Sequence, residues 1–362
     1  MIPVSKPYLP NREKLQKYID SIYENAWLTN NGPLMQELTR RLEAYLGVEN
    51  LLLVSNGTLA LQVAYRALGI NEPINGEPAE AISTPFTFIA TASSLKWDNI
   101  EPVLVDIDAK TWCLDPTLVE AAITPRTRAI VPVHVFGNTC EVEAIDAIAE
   151  KHSLKVIYDA SHAFGVKHKG QSVLNYGDAA TLSFHATKLF HTVEGGAIVF
   201  KHKADLERAK KMINFGIASP EVIDEQGINA KMNEFQAAMG LCVLDEMERN
   251  ISSRKEIWHR YESALADKYQ LQALNSDISY NYAYFPTVFE SEEKALAFQD
   301  SLKANGVVAR RYFYPSLDQV SNQNFKVSGE TKNSQSIAKR ILCLPLYCDL
   351  DIDEHVLPFL NE

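Results

Sequence analysis

The sequence predicts an α/β fold, a mostly parallel central sheet flanked by helices, with a small α+β unit after it. Three observations carry this expectation. Apolar runs of strand length alternate with helix-period segments from about residue 50 to 200. The stretch from Asn233 to Ala266 holds no proline or strong break and reads as one long or two abutting helices, a bridge between units. The chain has 362 residues, about 2.4 times the ~150-residue prior for one domain, so two packed units are expected.

In order, the strand candidates are LLLVS (51–55), AEAIST (79–84), EPVLVD (101–106), RAIVPV (128–133), LKVIYD (154–159), TLSF (181–184) and AIVF (197–200). Their continuous apolar character is that of strands covered on both faces, as in parallel sheets. TLALQVAYRAL, FIATASSLKW, DPTLVEAAI, EVEAIDAIAEKH and KADLERAKKMINF repeat apolar residues at helical spacing and supply the crossovers. Beyond the bridge, NYAYFPTVF, the helix EEKALAFQDSLKAN, the strand VVARRYF and a terminal helical stretch make the second unit. The boundary is placed near residue 245, giving a large unit over 1–245 and a small one over 246–362.

Composition narrows the function classes. Hydrophobic residues make up 46% and charged residues 22%, an ordinary globular balance. Acidic residues exceed basic ones by 46 − 35 = 11, the wrong sign for non-specific binding of nucleic acid or an anionic membrane. The five cysteines show no repeated short spacing, which fits reduced thiols and a cytoplasmic location better than a disulfide framework or a zinc site. No window reaches the length of a membrane span or a signal-peptide core. No metal is expected, because no HExxH occurs and the histidines do not pair at ligand spacing.

Two nucleotide motifs fail. GVKHKGQS (165–172) has the glycine spacing of a phosphate-binding loop, but Gln171 stands where the lysine belongs. No GxGxxG follows the first strands.

Three segments together carry chemistry. SNGTLAL (55–61) places Gly57 and Thr58 where a strand ends and a helix begins, so backbone N–H groups and a hydroxyl can meet an anion. DASHAFG (159–165) puts Asp159 at the carboxyl end of a strong apolar strand, where open α/β sheets keep functional groups. SFHATKLFHTVEGGAIVF (183–200) holds Lys188 among small and apolar residues, five positions after Ser183. Each has a plainer alternative: an ordinary helix cap, a turn-capping aspartate, a surface lysine. As an ordered set they meet the needs of pyridoxal 5'-phosphate: a lysine for the Schiff base, a carboxylate for the pyridine nitrogen, a cradle for the phosphate.

Through these motifs the chain resembles the DegT/DnrJ/EryC1/StrS sugar aminotransferases, fold-type I pyridoxal phosphate enzymes. The resemblance runs through WLTNNGP (27–33), TPFTFIATA (84–92), PVLVDID (102–108), VHVFGN (133–138), DASHAFG, SFHATK, EGG, GINAKMNEFQAAMG (227–240), RRYFYP (310–315) and LPLY (344–347). It implies that Lys188 is the Schiff-base lysine and Asp159 the partner of the ring nitrogen. It implies that Gly57, Thr58 and Ser183 cradle the phosphate and that His162, where many members carry Gln, lies beside the ring oxygen. Phe88 matches the aromatic that stacks on the ring, with plain core packing as the alternative. Asn229 and Lys231 match the segment that reaches the phosphate of the neighbouring subunit in a homodimer with shared active sites. Thr29, Asn31, Arg310, Arg311, Tyr312 and Tyr314 are candidate substrate contacts, with a surface-strand reading of the last four equally open.

The resemblance further implies a ping-pong transamination from L-glutamate to a nucleotide-linked keto sugar. It is most like the branch that converts dTDP-4-keto-6-deoxy-D-glucose to dTDP-4-amino-4,6-dideoxy-D-glucose for surface polysaccharide such as O-antigen. A 3-aminotransferase or a UDP- or GDP-sugar 4-aminotransferase of the same family is the alternative. From another class, a catalytically silent cofactor-binding regulatory protein on the same scaffold is the rival.

Overall fold

The computed structural model describes residues 1–359. The chain opens with α1 (Arg12–Asn25), capped by Asn11, and α2 (Pro33–Leu46), which starts on a proline at N1 and ends on the left-handed Gly47. There follow β1 (Leu51–Val54), α3 (Gly57–Ala67), β2 (Glu80–Ser83), α4 (Ile89–Trp97), β3 (Glu101–Leu104), α5 (Pro116–Val119), β4 (Thr127–Ile130), α6 (Val142–His152) and β5 (Lys155–Asp159). A two-residue hairpin, β6 (Lys167–His168) and β7 (Gln171–Ser172), precedes β8 (Ala179–Ser183), β9 (Gly196–Phe200) and α7 (Lys203–Met212). Next come the hairpin β10 (Ile217–Ser219) and β11 (Val222–Ile223), then α8 (Glu234–Asp245) and α9 (Met247–Leu265). The rest is β12 (Gln270–Leu271), β13 (Ile278–Ser279), β14 (Phe285–Val288), α10 (Glu292–Ala304), β15 (Lys326–Val327), α11 (Lys332–Arg340), β16 (Ile341–Leu344) and α12 (Ile352–His355).

The main sheet has the order β1-β9-β8-β5-β4-β2-β3-β15, and every pairing is parallel except the two that β9 makes. Alternation along each strand splits the core into two layers. Leu51, Leu53, Ile82, Ile130, Val156 and Tyr158 face one layer, while Leu52, Val54, Ala81, Ala129, Val131 and Ile157 face the other, against α3 and α7. A third core joins α9, β14, α10 and β16 through Tyr261, Leu265, Phe285, Leu302 and Leu342.

Several expectations are corrected. Of the two readings of the bridge, the two abutting helices hold: they meet at Glu246, and a capping box of Asn233 with Gln236 starts α8, the first of them. DPTLVEAAI forms only the single turn α5 and a following 3-10 turn. VVARRYF is no strand: only Val307 and Arg310 make isolated bridges, to Ile2 and Cys343, and the backbone then turns through cis bonds at Tyr312–Phe313 and Tyr314–Pro315. The failed phosphate loop is a tight hairpin, with Lys169 and Gly170 both in the left-handed region that a two-residue turn demands.

The first ten residues run as a strap across the molecule. Ile2 exchanges backbone hydrogen bonds with Gly306 and Val308, the Val4 carbonyl accepts from Leu346, and the Tyr8 hydroxyl donates to Glu246 at 2.6 Å. Among the described residues no helix is long and apolar enough to cross a membrane.

Candidate active site

The parallel strands end on one edge of the sheet, and a cavity of about 360 Å³ opens there. β1 delivers the start of α3 to its rim. Asn56 caps that helix by accepting from the Leu59 N–H at 2.8 Å, while the first-turn N–H groups of Gly57 and Thr58 have no acceptor inside the helix. Gly57 is also a point of close approach: a Cβ built on it would lie 2.8 Å from the Cβ of Ser183, the last residue of β8.

β5 delivers Asp159, which is buried to 5% exposure. Its Oδ2 accepts from the Thr91 hydroxyl at 2.8 Å and its Oδ1 from the Ser161 N–H at 3.1 Å. Thr91 shares a 2.9 Å contact with Thr87, so two hydroxyls in series hold the carboxylate.

Lys188 sits in the loop from β8 to β9, and its Nζ donates to the Tyr284 hydroxyl at 3.4 Å. Burial lowers its pKa from 10.5 to about 8, with the nearby charges of Asp159 and then Tyr312 acting the other way. His162 is pushed well below the usual histidine range by burial and by Lys188. Its Nδ1 accepts from the Phe136 N–H at 3.1 Å, so the neutral ring carries its proton on Nε2.

Gly57, Thr58, Phe88, Asp159, His162, Ser183, Lys188, Arg310 and Tyr312 all line this one cavity. Phe88 is 58% exposed at its mouth, which excludes the core-packing alternative. The twin arginines part company. Arg311 is held by Glu292 at 2.6 Å and the Lys339 carbonyl at 2.7 Å, stacked over Tyr314 at 3.5 Å, and lines only an adjoining cavity. The Arg310 guanidinium meets the Tyr312 side chain, donating to its hydroxyl at 3.3 Å, and has no carboxylate partner among the described residues. Tyr314, like Arg311, lines only the adjoining cavity, and four further residues lie elsewhere: Asn31 and Lys231 line a separate cavity of about 720 Å³, and Thr29 and Asn229 are exposed. Lys231 donates to Asn214 at 2.8 Å.

Sequence reasoning missed Thr91, Tyr284, His185 and Glu194, all of which line the cavity. Thr91, His185 and Glu194 stand within TPFTFIATA and SFHATKLFHTVEGGA; their sequence signal is proximity to Phe88 and Lys188. Tyr284 comes from the distant NYAYFPTVF and has no such signal.

These groups fit pyridoxal phosphate. A desolvated amine suits the aldehyde, a buried carboxylate held on both oxygens suits the protonated pyridine, and a helix start too close to Ser183 for any Cβ suits a phosphate. No group of three or more His, Cys, Asp or Glu suited to a metal ion is found among the described residues.

The comparisons with known proteins agree. A dTDP-4-amino-4,6-dideoxy-D-glucose transaminase of Shigella dysenteriae is 42% identical over 99% of this chain and 98% of its own. One of the same name from Escherichia coli is 38% identical over 97% and 95%. The crystal structure of DesI in the presence of its TDP-sugar product superposes with a TM-score of 0.91 at 32% identity, covering 99% of this chain and 92% of the other. The model of the DegT/DnrJ/EryC1/StrS aminotransferase family matches residues 10–357, and the chain belongs to that family of pyridoxal phosphate-dependent enzymes.

Proposed function

We propose that the protein transfers the amino group of L-glutamate to C4 of dTDP-4-keto-6-deoxy-D-glucose, giving dTDP-4-amino-4,6-dideoxy-D-glucose for surface polysaccharide. The observation that carries the reaction is the convergence of Lys188, Asp159 and the start of α3 on one cavity. The substrate follows from the two transaminases named above, which match almost end to end.

Lys188 and Asp159 would hold the two ends of the cofactor's ring chemistry, with Gly57, Thr58 and Ser183 at its phosphate, Phe88 on its face and His162 beside it. When bound, pyridoxal phosphate supplies the sink for electrons released at the donor's α-carbon. Lys188 Nζ, poised by its lowered pKa, takes the proton from that carbon. In the second half-reaction it delivers a proton to the sugar carbon that has received nitrogen. Asp159, fixed by Thr91 and Ser161, would present its carboxylate to the ring nitrogen.

The active unit is a cytoplasmic homodimer, with 1–245 as the cofactor-binding unit and 246–362 as the smaller one. Asn229, Lys231, Thr29 and Asn31, remote from their own cavity, complete the partner's site. Exposed Phe215, Ile223, Ile228 and Phe235 beside them support a covered surface. The test is incubation with L-glutamate and a panel of dTDP-, UDP- and GDP-linked 4-keto and 3-keto sugars, with products identified by mass and NMR. Amination of the dTDP-4-keto sugar at C4 supports the reading; amination only at C3, or of no sugar, overturns it.

A further inference from the structure

One polar pair in the cavity has no part in the chemistry above. His185 and Glu194 face each other from the two arms of the lysine loop, with Nε2 and Oε1 3.6 Å apart. The Nδ1 of His185 accepts from the Thr187 N–H at 3.2 Å and lies 2.8 Å from its hydroxyl, so the proton of the neutral ring is on Nε2, toward Glu194. Both side chains are about half exposed, at 46% and 56%, and neither has another ion-pair partner among the described residues.

A donor and an acceptor held just past direct hydrogen-bond reach make a particular demand. The group that bridges them must accept from Nε2–H and donate to a carboxylate. A hydroxyl does both. A phosphate or a carboxylate only accepts and is repelled by Glu194, and an ammonium only donates. The pair thus disfavours an anionic group, which the Arg310 guanidinium on the same cavity, without a carboxylate partner among the described residues, would suit.

We propose that His185 and Glu194 form a hydroxyl-reading pair that clamps a ring hydroxyl of the keto sugar and so sets specificity in the second half-reaction. This rests on the sugar-aminating reading of the site. A hydrogen bond to a charged group is worth about 1.5–3 kcal/mol, or roughly 10- to 100-fold.

The experiment measures the two half-reactions of the holoenzyme separately by the cofactor's absorbance change. The first uses L-glutamate. The second starts from the pyridoxamine form with the dTDP-4-keto sugar and with analogues lacking the 2- or the 3-hydroxyl. Glu194→Gln and His185→Phe are each expected to lose at least tenfold more in kcat/KM for the sugar half than for the glutamate half. One deoxy analogue is expected to remove that difference, wild type and variants then reacting alike. Equal losses in both halves, a loss confined to the glutamate half, or losses that multiply with both deoxy analogues would overturn the pair's role. Failure of wild type to aminate any sugar would instead overturn the function on which it rests.

Discussion

The Thr91 hydroxyl donates to Asp159 Oδ2 at 2.8 Å, joining the first turn of α4 to the end of β5 beneath the cavity. That bond aims a buried carboxylate whose other oxygen is held by the backbone. Removing it in Thr91→Val is expected to cost about 1.5–3 kcal/mol of cofactor affinity. Titration of the apoprotein with pyridoxal phosphate, followed by absorbance, checks this. Thr91→Ser should retain most of the affinity.

Lys188→Ala is expected to abolish turnover and the absorbance band of the lysine-linked cofactor. Full activity in that variant would exclude Lys188 as the attached lysine.

The lowered pKa of Lys188 sets a pH dependence. The amine must be neutral to react, so cofactor attachment to the apoprotein should speed up as pH rises through about 8 and level off above it. Stability carries the same sign. Between pH 8 and the ~10.4 of an unperturbed lysine the unfolded chain holds a proton that the folded protein has released, so unfolding becomes less favourable as pH rises. Lys188→Met should therefore be more stable than wild-type apoprotein at pH 7, with the gap closing toward pH 10 in urea titrations.

Gly57→Ala puts a methyl group 2.8 Å from Ser183 Cβ and 3.1 Å from its Cα, so the helix start or the strand end must move. A loss of about 1–3 kcal/mol in stability is expected, with weaker pyridoxal phosphate binding. A thermal melt and the same apoprotein titration separate the two effects.

The two neighbouring arginines should behave differently. Arg311→Gln breaks the contacts to Glu292 and the Lys339 carbonyl and should lower the melting temperature. Arg310→Gln leaves no carboxylate unpaired and should instead raise the KM for the sugar nucleotide by tenfold or more. A melt and steady-state kinetics on both proteins would show the split.

The sequence was readable where one local rule decides the outcome. Apart from the two-residue edge strand β15, the strands of the large sheet are four- and five-residue, mostly apolar and mostly buried runs, and the carboxyl ends of β5 and β8 hold Asp159 and Ser183. Asn56 and Gly57 announce a helix start by capping chemistry. Legibility failed where long-range packing decides. VVARRYF has strand composition, yet it makes only isolated bridges, Val307 to Ile2 and Arg310 to Cys343, and Tyr312 just beyond them lines the cavity. Tyr284 meets Lys188 across 96 positions of sequence, and nothing near either residue encodes that meeting. β15 joins the sheet edge from far along the chain, again by packing alone.

In the main sheet β9 is the one strand that runs against both its neighbours, and this has a mechanical consequence. Ser183 and Gly196 are paired in register, so the loop bearing Lys188 leaves and re-enters the sheet at a single rung. Phe184 and Gly195 add a further backbone bond just outside it, and His191 is fastened to the Tyr8 carbonyl of the strap at 2.6 Å. The lysine thus stands on a platform clamped at both feet and at its far side. Its amine must shuttle between bonded and free positions by rotation of its own four-carbon tether, and the travel available to it is the reach of one side chain.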